Sequence, residues 1–439
     1  MDYSKTVYLP KTDFPMKANL SQREPEILKF WEKIDIYNKI LEKNKGKKTY
    51  ILHDGPPYAN GHIHLGTALN KILKDVVIKY KALSGFYTPF IVGWDCHGMP
   101  IEHQVFKEIG KKKNEVDIKE LRKKASDYAK KYVNIQKEEF KRLGVFADWE
   151  NPYLTLEPNY EAEIIKAFGK LYLSNYIYQT YKPIFWCLTC ETALAEAEIE
   201  YYEKKSPSIY VKFKIIDDKG LNLGENSYFL IWTTTPWTLP GNTGIALNPT
   251  FKYILFENEN EKIIIAENRK EEISKIIGKE IKVVREFEAS QLFGIICKNP
   301  IIDRESKVIL AEFVSGDEGT GCVHIAPGHG EEDYYAGLKY GLEIISPVNE
   351  KGEFTDEAGE FKGINVFKAD KIIIENLKNK DALFFSGEII HSYPHCWRCK
   401  KPVIYRSTTQ WFLKIDHKNL RNNMIEEIKK VKWYPKEGE

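Results

Sequence analysis

The sequence contains no run of about twenty apolar residues of the kind that spans a bilayer. Its start, MDYSKTVYLP, lacks the apolar core of a signal peptide. Membrane and secretory readings fall away, and a cytoplasmic enzyme is the expectation. No internal repeat or low-complexity tract is present, which excludes solenoids and fibrous arrays. Neither charge dominates: 65 Lys+Arg against 63 Asp+Glu leave +2, no global attraction for nucleic acid. Cysteine is sparse and odd in number, 7 in 439 residues. Four of the seven form two C-x-x-C pairs, which in a reducing compartment favours metal over disulfides and leaves Cys96, Cys297 and Cys322 as free thiols. A hydrophobic content of 43% lets the chain bury a sizeable core and divide into two or three domains.

Charge is uneven locally. Gln104 to Arg142 carries 13 Lys/Arg against 7 Asp/Glu, which reads either as a solvated helix face or as a surface for nucleic acid. Ahead of it, Ser21 to Leu41 reads as one helix, with Ser21 as cap, Glu24 completing a capping box, and Ile27, Leu28, Trp31, Ile34 and Leu41 as the apolar stripe. Thr49 to His53 is a short apolar strand running into Asp54-Gly55-Pro56-Pro57, where the chain must turn. An amphipathic helix follows Gly66, with Leu69, Ile72, Leu73, Val76, Tyr80 and Leu83 at helical spacing, and Pro89 to Trp94 is a second strand. Strand, helix and strand make a βαβ unit with parallel strands, so both motif-bearing turns lie at one carboxyl edge.

From about Ser206 to Ser386 the texture is β-rich, with runs at Ile209 to Ile216, Tyr228 to Thr234, Ile263 to Ala266 and Lys307 to Glu312. Cys187/Cys190 and Cys396/Cys399 bracket this region, as expected of an insertion whose entry and exit strands lie side by side. Four thiolates suffice for a closed tetrahedral zinc site of structural role; reduced buried thiols are the alternative, and His391 or His395 could substitute as ligands.

The segment Gly55-Pro56-Pro57-Tyr58-Ala59-Asn60-Gly61-His62-Ile63-His64-Leu65-Gly66-Thr67 joins a strand edge to a helix N-terminus, a place suited to phosphate. It resembles the H-x-G-H signature of class I aminoacyl-tRNA synthetases, read here as His64-Leu65-Gly66-Thr67, with threonine where the family usually has histidine. The resemblance implies that His64, Gly66 and Thr67 contact ATP. Gly93-Trp94-Asp95-Cys96-His97-Gly98-Met99-Pro100-Ile101-Glu102 resembles the isoleucyl branch of that class. In that branch Asp95 would hold the ammonium of the amino acid, with Gly55 and Pro56 lining the pocket; the plainer reading of Asp95 is a helix cap.

Trp232-Thr233-Thr234-Thr235-Pro236-Trp237-Thr238-Leu239-Pro240-Gly241-Asn242 and the segment from Gly319 to Asp333, which includes Gly328-His329-Gly330, are read together. Composition alone suggests an ordinary β-strand and a Gly/His-rich loop suited to a metal site, but neither reading explains both segments, and the two resemble the editing pocket inserted in isoleucyl, valyl and leucyl synthetases. That resemblance implies that Thr233, Thr234, Thr235 and Asn242 face the terminal adenosine of tRNA, that Asp333 binds the substrate ammonium, and that His324 helps exclude the cognate side chain. A second pocket has a physical motive, because one methylene is worth only about 1–3 kcal/mol in a binding site, a magnitude established on isoleucyl synthetases themselves rather than on this chain.

The expected architecture is α/β: the first half of a Rossmann-like parallel-sheet nucleotide-binding domain with an inserted β-rich editing domain. Its parts are a helical arm over 1–48, the catalytic half over 49–184, a zinc knuckle and linker over 185–205, the editing insertion over 206–386, and a second knuckle with the return over 387–439. The resemblance runs from Tyr8-Leu9-Pro10-Lys11-Thr12-Asp13-Phe14-Pro15-Met16 to Thr408-Thr409-Gln410-Trp411-Phe412. It implies ATP with Mg2+, L-isoleucine and tRNA(Ile) as substrates, structural Zn2+, and a monomer. The K-M-S-K-S loop of the family and its anticodon-binding domain are not found in these residues, so the chain is expected to be the amino-terminal portion of a longer enzyme, competent mainly for editing. A free-standing editing hydrolase and a non-catalytic tRNA-binding module remain as rivals.

Overall fold

The computed structural model describes residues 3–8, 13, 17–110 and 115–439, and the chain divides into two units, Met1–Asn175 and Tyr176–Glu439. Residues 9–16 of the first quoted motif, apart from Asp13, and residues 111–114 of the basic run lie outside the described residues.

In the first unit the arm is two helices, α1 (Leu20–Lys33) and α2 (Ile36–Asn44), rather than the single helix expected over Ser21 to Leu41. Asn19 rather than Ser21 stands at the start of α1, and the chain breaks at Asp35, whose φ is +50°. Asp is one of the few residues that enters this region readily. In a straight helix Trp31 and Tyr37 would point about 120° apart. The break lets both rings reach Phe146, at centroid distances of 5.1 and 6.3 Å.

The unit continues with α3 (Leu65–Leu83), β1 (Ile91–Trp94), α4 (Met99–Ile109), α5 (Ile118–Arg142), β2 (Asp148–Leu154) and α6 (Pro158–Leu173). β1 and β2 pair in parallel, with Gly93 opposite Tyr153 and Trp94 opposite Leu154. No ladder forms over Thr49 to His53, contrary to expectation. Two parallel bridges, Thr49 to Tyr87 and Tyr58 to Asp95, flank the stretch. Pro56 and Pro57 lack N–H donors, so the edge pairs only where donors return: Asp95 N donates to Pro57 O and Ala59 N to Asp95 O, at 2.9 and 2.8 Å. The core of this unit is Phe90, Val92 and Trp94 packed on Ile101, Val105, Val133 and Phe140.

α3 is inverted relative to the usual amphipathic rule. Its buried residues are Lys71, Asp75 and Ile78, while Leu69, Leu73, Val76, Tyr80 and Leu83 of the apolar stripe are exposed. The buried charges are paired: Asp54 sits 2.5 Å from Lys71 Nζ and 2.7 Å from Lys74 Nζ, and Asp75 accepts from Phe146 N and pairs with Lys79. Such burial persists only with partners in place.

The second unit runs β3 (Ile177–Cys187), β4 (Thr192–Leu194), β5 (Ile199–Asp217), β6 (Ser227–Thr233), β7 (Gly244–Leu247), β8 (Lys252–Asn258), β9 (Glu261–Ala266), α7 (Lys270–Ile277), β10 (Val283–Glu288), α8 (Ala289–Leu292), β11 (Ile296–Lys298), β12 (Glu305–Leu310), β13 (Cys322–Ile325), α9 (Glu331–Tyr340), α10 (Val366–Asn379), β14 (Leu383–Cys396), β15 (Ile404–Leu413) and α11 (Leu420–Ile428). Its large mixed sheet follows the order β10-β8-β9-β6-β5-β11-β12-β7-β13, with β14 also on β5. β13 also packs against β6, so the sheet curls. β15, β3 and β4 form a smaller sheet in which β3 pairs antiparallel with β15 from Ile177 opposite Leu413 to Trp186 opposite Ile404. Entry and exit strands of the β-rich region therefore do lie side by side. Four of its strands, β5, β6, β9 and β12, fall where the β-rich runs were read, and the alternating Ile, Val and Phe of those runs form its core. Among the described residues no helix is long and apolar enough to cross a membrane.

Candidate functional site

The first unit places Gly55, Pro56 and Asp95 at one edge, beyond the carboxyl end of β1, through the Asp95–Pro57 and Ala59–Asp95 bonds already given. Gly55 is exposed, while Pro56 and Asp95 are half-buried. Asp95 Oδ1 accepts from His97 N at 3.3 Å. His64 is the N-cap of α3: its Nδ1 accepts from Gly66 N at 3.1 Å and Thr67 N at 3.3 Å. The ring proton is thereby assigned to Nε2, which is left to donate outward. Glycine at 66 has a steric cause, because a Cβ there would stand 3.0 Å from His64 Cε1.

Three polar residues of α5 hold this loop, and sequence reading passed over all of them. Gln136 is buried; its Nε2 donates to Tyr58 O and Gly61 O, both at 2.9 Å, while its Oε1 accepts from Trp94 Nε1 at 3.0 Å. One side chain thus ties the Gly55–Thr67 loop to the strand that carries Asp95. Tyr128 donates to Asn60 Oδ1 at 2.9 Å, and Glu139 accepts from Ile63 N at 3.0 Å with His62 Nδ1 2.5 Å away. The signal was present: Ala129, Val133, Gln136 and Phe140 share one helix face, and a glutamine inside an apolar stripe marks a buried polar tie. The cations of the basic run lie mainly on the opposite, exposed face of α5.

In the second unit the threonine segment is less of a strand than expected. β6 ends at Thr233, and Thr234 and Thr235 lead into a 3-10 turn, Pro236–Gly241, because Pro236 and Pro240 cannot continue a ladder. The turn joins the hydroxyls to the Gly/His segment. Thr233 Oγ1 and Thr235 Oγ1 are 3.3 Å apart, Thr238 Oγ1 donates to Thr235 O at 2.9 Å, and His324 Nε2 lies 3.0 Å from Thr238 Oγ1. Since the Thr238 proton is directed to a carbonyl, His324 Nε2–H donates to Thr238 and Nδ1 holds the free lone pair. Burial lowers His324 to a pKa of about 4, with His329 close enough to add to the shift.

Asp333, in the first turn of α9, accepts from Ala326 N at 2.8 Å and so closes the loop that leaves β13. Burial of its carboxyl, opposed by that N–H, pushes Asp333 up to about 7. Asn242 is fully buried and turned to the sheet: its Nδ2 donates to Gly244 O and its Oδ1 accepts from Ser306 Oγ. A cavity of about 370 Å³ opens beside Thr234 and Thr235, lined also by Lys204, Ser206, Trp237, Phe367, Asp370 and Tyr393. Asp370, which no sequence signal marked, accepts from Trp237 N at 3.2 Å, and burial raises it to about 6.

Cys187, Cys190, Cys396 and Cys399 present four sulfurs within 4.8 Å of one another. A tetrahedral thiolate site with Zn–S bonds of about 2.3 Å has sulfurs about 3.8 Å apart. The donor set and spacing therefore fit zinc. Without metal, burial pushes the thiols of Cys187 and Cys190 upward, Cys190 to about 11.

Residues 26–439 match the family model described as tRNA synthetases class I (I, L, M and V), and the chain belongs to this family. Among similar proteins, the isoleucine--tRNA ligase of Moorella thermoacetica is 55% identical over 440 residues, covering 100% of this chain and 47% of that protein. The isoleucine--tRNA ligase of Fervidobacterium pennivorans is 53% identical, covering 100% of this chain and 48% of its own length. The chain thus spans about half the length of the curated relatives it matches. A solved ternary complex of Agrobacterium radiobacter K84 agnB2 LeuRS with tRNA and LeuAMS is 17% identical, covers 89% of this chain and 52% of that one, and has a TM-score of 0.38.

The tie made by Gln136 generates a prediction. Gln136→Leu removes the bonds to Trp94 Nε1, Tyr58 O and Gly61 O, and leaves the N–H of the buried Trp94 unpaired, at about 1–3 kcal/mol for that group. Denaturant unfolding should show the first unit destabilised by at least about 1 kcal/mol; an unchanged midpoint would show that the bonds contribute nothing.

Proposed function

We propose that this chain is the amino-terminal portion of an isoleucine–tRNA ligase that activates L-isoleucine with ATP and Mg2+, transfers it to tRNA(Ile), and hydrolyses mischarged Val-tRNA(Ile) in its β-rich unit. In the first unit the outward Nε2–H of His64 and the Thr67 hydroxyl are donors for phosphate at the positive end of α3, with Gly66 admitting the close approach. Gly55, Pro56 and Asp95 form the amino-acid side, Asp95 pairing with the ammonium. The exposed apolar stripe of α3 and the exposed Ile165 and Leu173 of α6 are then surfaces on which the remaining length of the relatives would pack. On this reading the present residues form little isoleucyl-adenylate and act mainly as a hydrolase.

The observation that carries the hydrolytic part is the hydrogen-bonded chain Thr233–Thr235–Thr238–His324, with Asp333 on the loop that follows. Asp333 takes the ammonium of the misattached valine, and the threonine hydroxyls orient the ester and its water. His324 serves as a wall that limits side-chain size: a ring that stays neutral down to about pH 4 is a poor proton acceptor for a water at pH 7. Asn242 holds the turn from beneath, through Gly244 and Ser306.

Asp333→Ala removes the counter-charge, a loss of about 2–5 kcal/mol and on the order of a hundredfold in Val-tRNA(Ile) deacylation. Deacylation by the variant at the parental rate would remove Asp333 from the site. The parental rate should also climb between pH 6 and 8. A carboxyl raised in the fold is most favourable while protonated and loses that advantage as pH rises through about 7, where the ion formed is the one an ammonium needs. Asp333→Asn should be slow and flat over the same range.

We also propose that the four cysteines hold Zn2+ as a structural ion at the end of the antiparallel β3–β15 ribbon where β3 reaches Cys187. Metal analysis should return about one zinc per chain, in keeping with a closed four-thiolate site. Cys396→Ser should lose it, and a metal-free parental protein that melts at the same temperature as the zinc-loaded one would contradict the assignment.

A further inference from the structure

Gly328-His329-Gly330 lies within the loop leading to Asp333, yet no role assigned so far uses its histidine. The two glycines have steric causes. A Cβ on Gly328 would fall 2.0 Å from Ile345 O, and one on Gly330 would stand 3.1 Å from Asp333 Cγ. Gly328 is fastened to β15, its carbonyl accepting from Ser407 N at 3.0 Å and Ser407 Oγ at 3.2 Å.

Between them His329 is buried, with Nδ1 3.0 Å from Tyr405 O, also on β15. A carbonyl only accepts, so Nδ1 carries the proton and donates. The ring meets Trp237 edge-to-face, centroids 5.1 Å apart and planes at 79°. A Cβ on Gly241 would come within 2.9 Å of His329 Cδ2, so the ring fills the space under the turn. Trp237 is pinned on its other side by the N–H bond to Asp370, and the next residue, Thr238, is the one that holds His324. One imidazole therefore spans the gap between strand β15 and the turn on which the threonine hydroxyls and His324 depend.

We propose that His329 is a positioning residue of the hydrolytic pocket, a strut that fixes the Trp237–Thr238 turn, and through it His324, to strand β15. The inference rests on the reading of this loop as the hydrolytic site. It makes the register of β15 part of the pocket's geometry: a shift of that strand carries Tyr405 and Ser407 with it, and the strut transmits the shift to Thr238.

The alternative, a histidine that only fills space, predicts that any ring of similar size serves. His329→Phe keeps a ring against Trp237 and removes the donor to Tyr405 O, whereas His329→Asn places an amide nitrogen near the position of Nδ1. Deacylation of Val-tRNA(Ile) by the 439-residue chain should fall at least tenfold in kcat for His329→Phe, with KM within twofold and thermal midpoint and zinc content retained. His329→Asn should recover to within about threefold of the parent. A His329→Phe variant with parental kcat, or losses in both variants that follow their thermal midpoints, overturns the proposal. Asp333→Ala is measured alongside. If it is inactive while His329→Phe is unimpaired, the strut alone fails; if it is fully active, the hydrolytic reading fails first.

Discussion

The pairing of β3 with β15 is the constraint on which the β-rich unit depends, because it obliges the chain to leave and return at one place. Cys187 at the end of β3 and Cys399 beyond β14 are 212 residues apart in sequence and 3.4 Å apart at sulfur. Closing so long a loop costs conformational entropy that grows slowly with length and is repaid by ladder bonds along the ribbon and, on the zinc reading, by four metal–thiolate bonds. The consequence reaches the loop at 326–333. Gly328 and His329 take their partners from β15, and Lys182 on β3 reaches Glu331 at 2.8 Å and Tyr335 at 3.0 Å. The loop that positions Asp333 is thus built against the ribbon as much as against its own sheet.

The first unit solves a similar problem with buried polar groups. A loop opened by Pro56 and Pro57, which lack N–H donors, cannot be held by a backbone ladder of its own. Gln136, Tyr128 and Glu139 hold it from α5, and Asp54, clasped by Lys71 and Lys74, fixes the residue just before Gly55. Lys71 is buried beside Phe140, its Nζ 5.0 Å from the ring centroid, and burial lowers its pKa despite the Asp54 carboxylate. Pairs of this kind add little net stability but penalise every arrangement in which one partner is missing.

Local chemistry was legible in the sequence wherever neighbours along the chain decide it. The β-rich runs, the four-cysteine cluster and the side-by-side entry and exit strands follow from composition and spacing. What could not be read depends on partners remote in sequence. The break at Asp35 serves Phe146, a ring more than a hundred residues away. The apolar stripe of α3 is where periodicity put it, yet it is exposed, because periodicity identifies a face without identifying what covers it. In the candidate site, Thr235, His324 and Asp333 stood out by motif. Thr238 and His329 lay within the same quoted segments unremarked, since only the fold shows that one bonds His324 and the other bridges to Tyr405.

The central claim is that the β-rich unit is a pocket that destroys the ester of the smaller amino acid, with size read against His324 and charge read by Asp333. The most direct measurement is the rate at which the 439-residue chain deacylates Val-tRNA(Ile) and Ile-tRNA(Ile) side by side under single-turnover conditions. The account predicts that the valyl ester is cleared well above the spontaneous rate while the isoleucyl ester is largely spared. Equal clearance of both esters, or of neither, would contradict it.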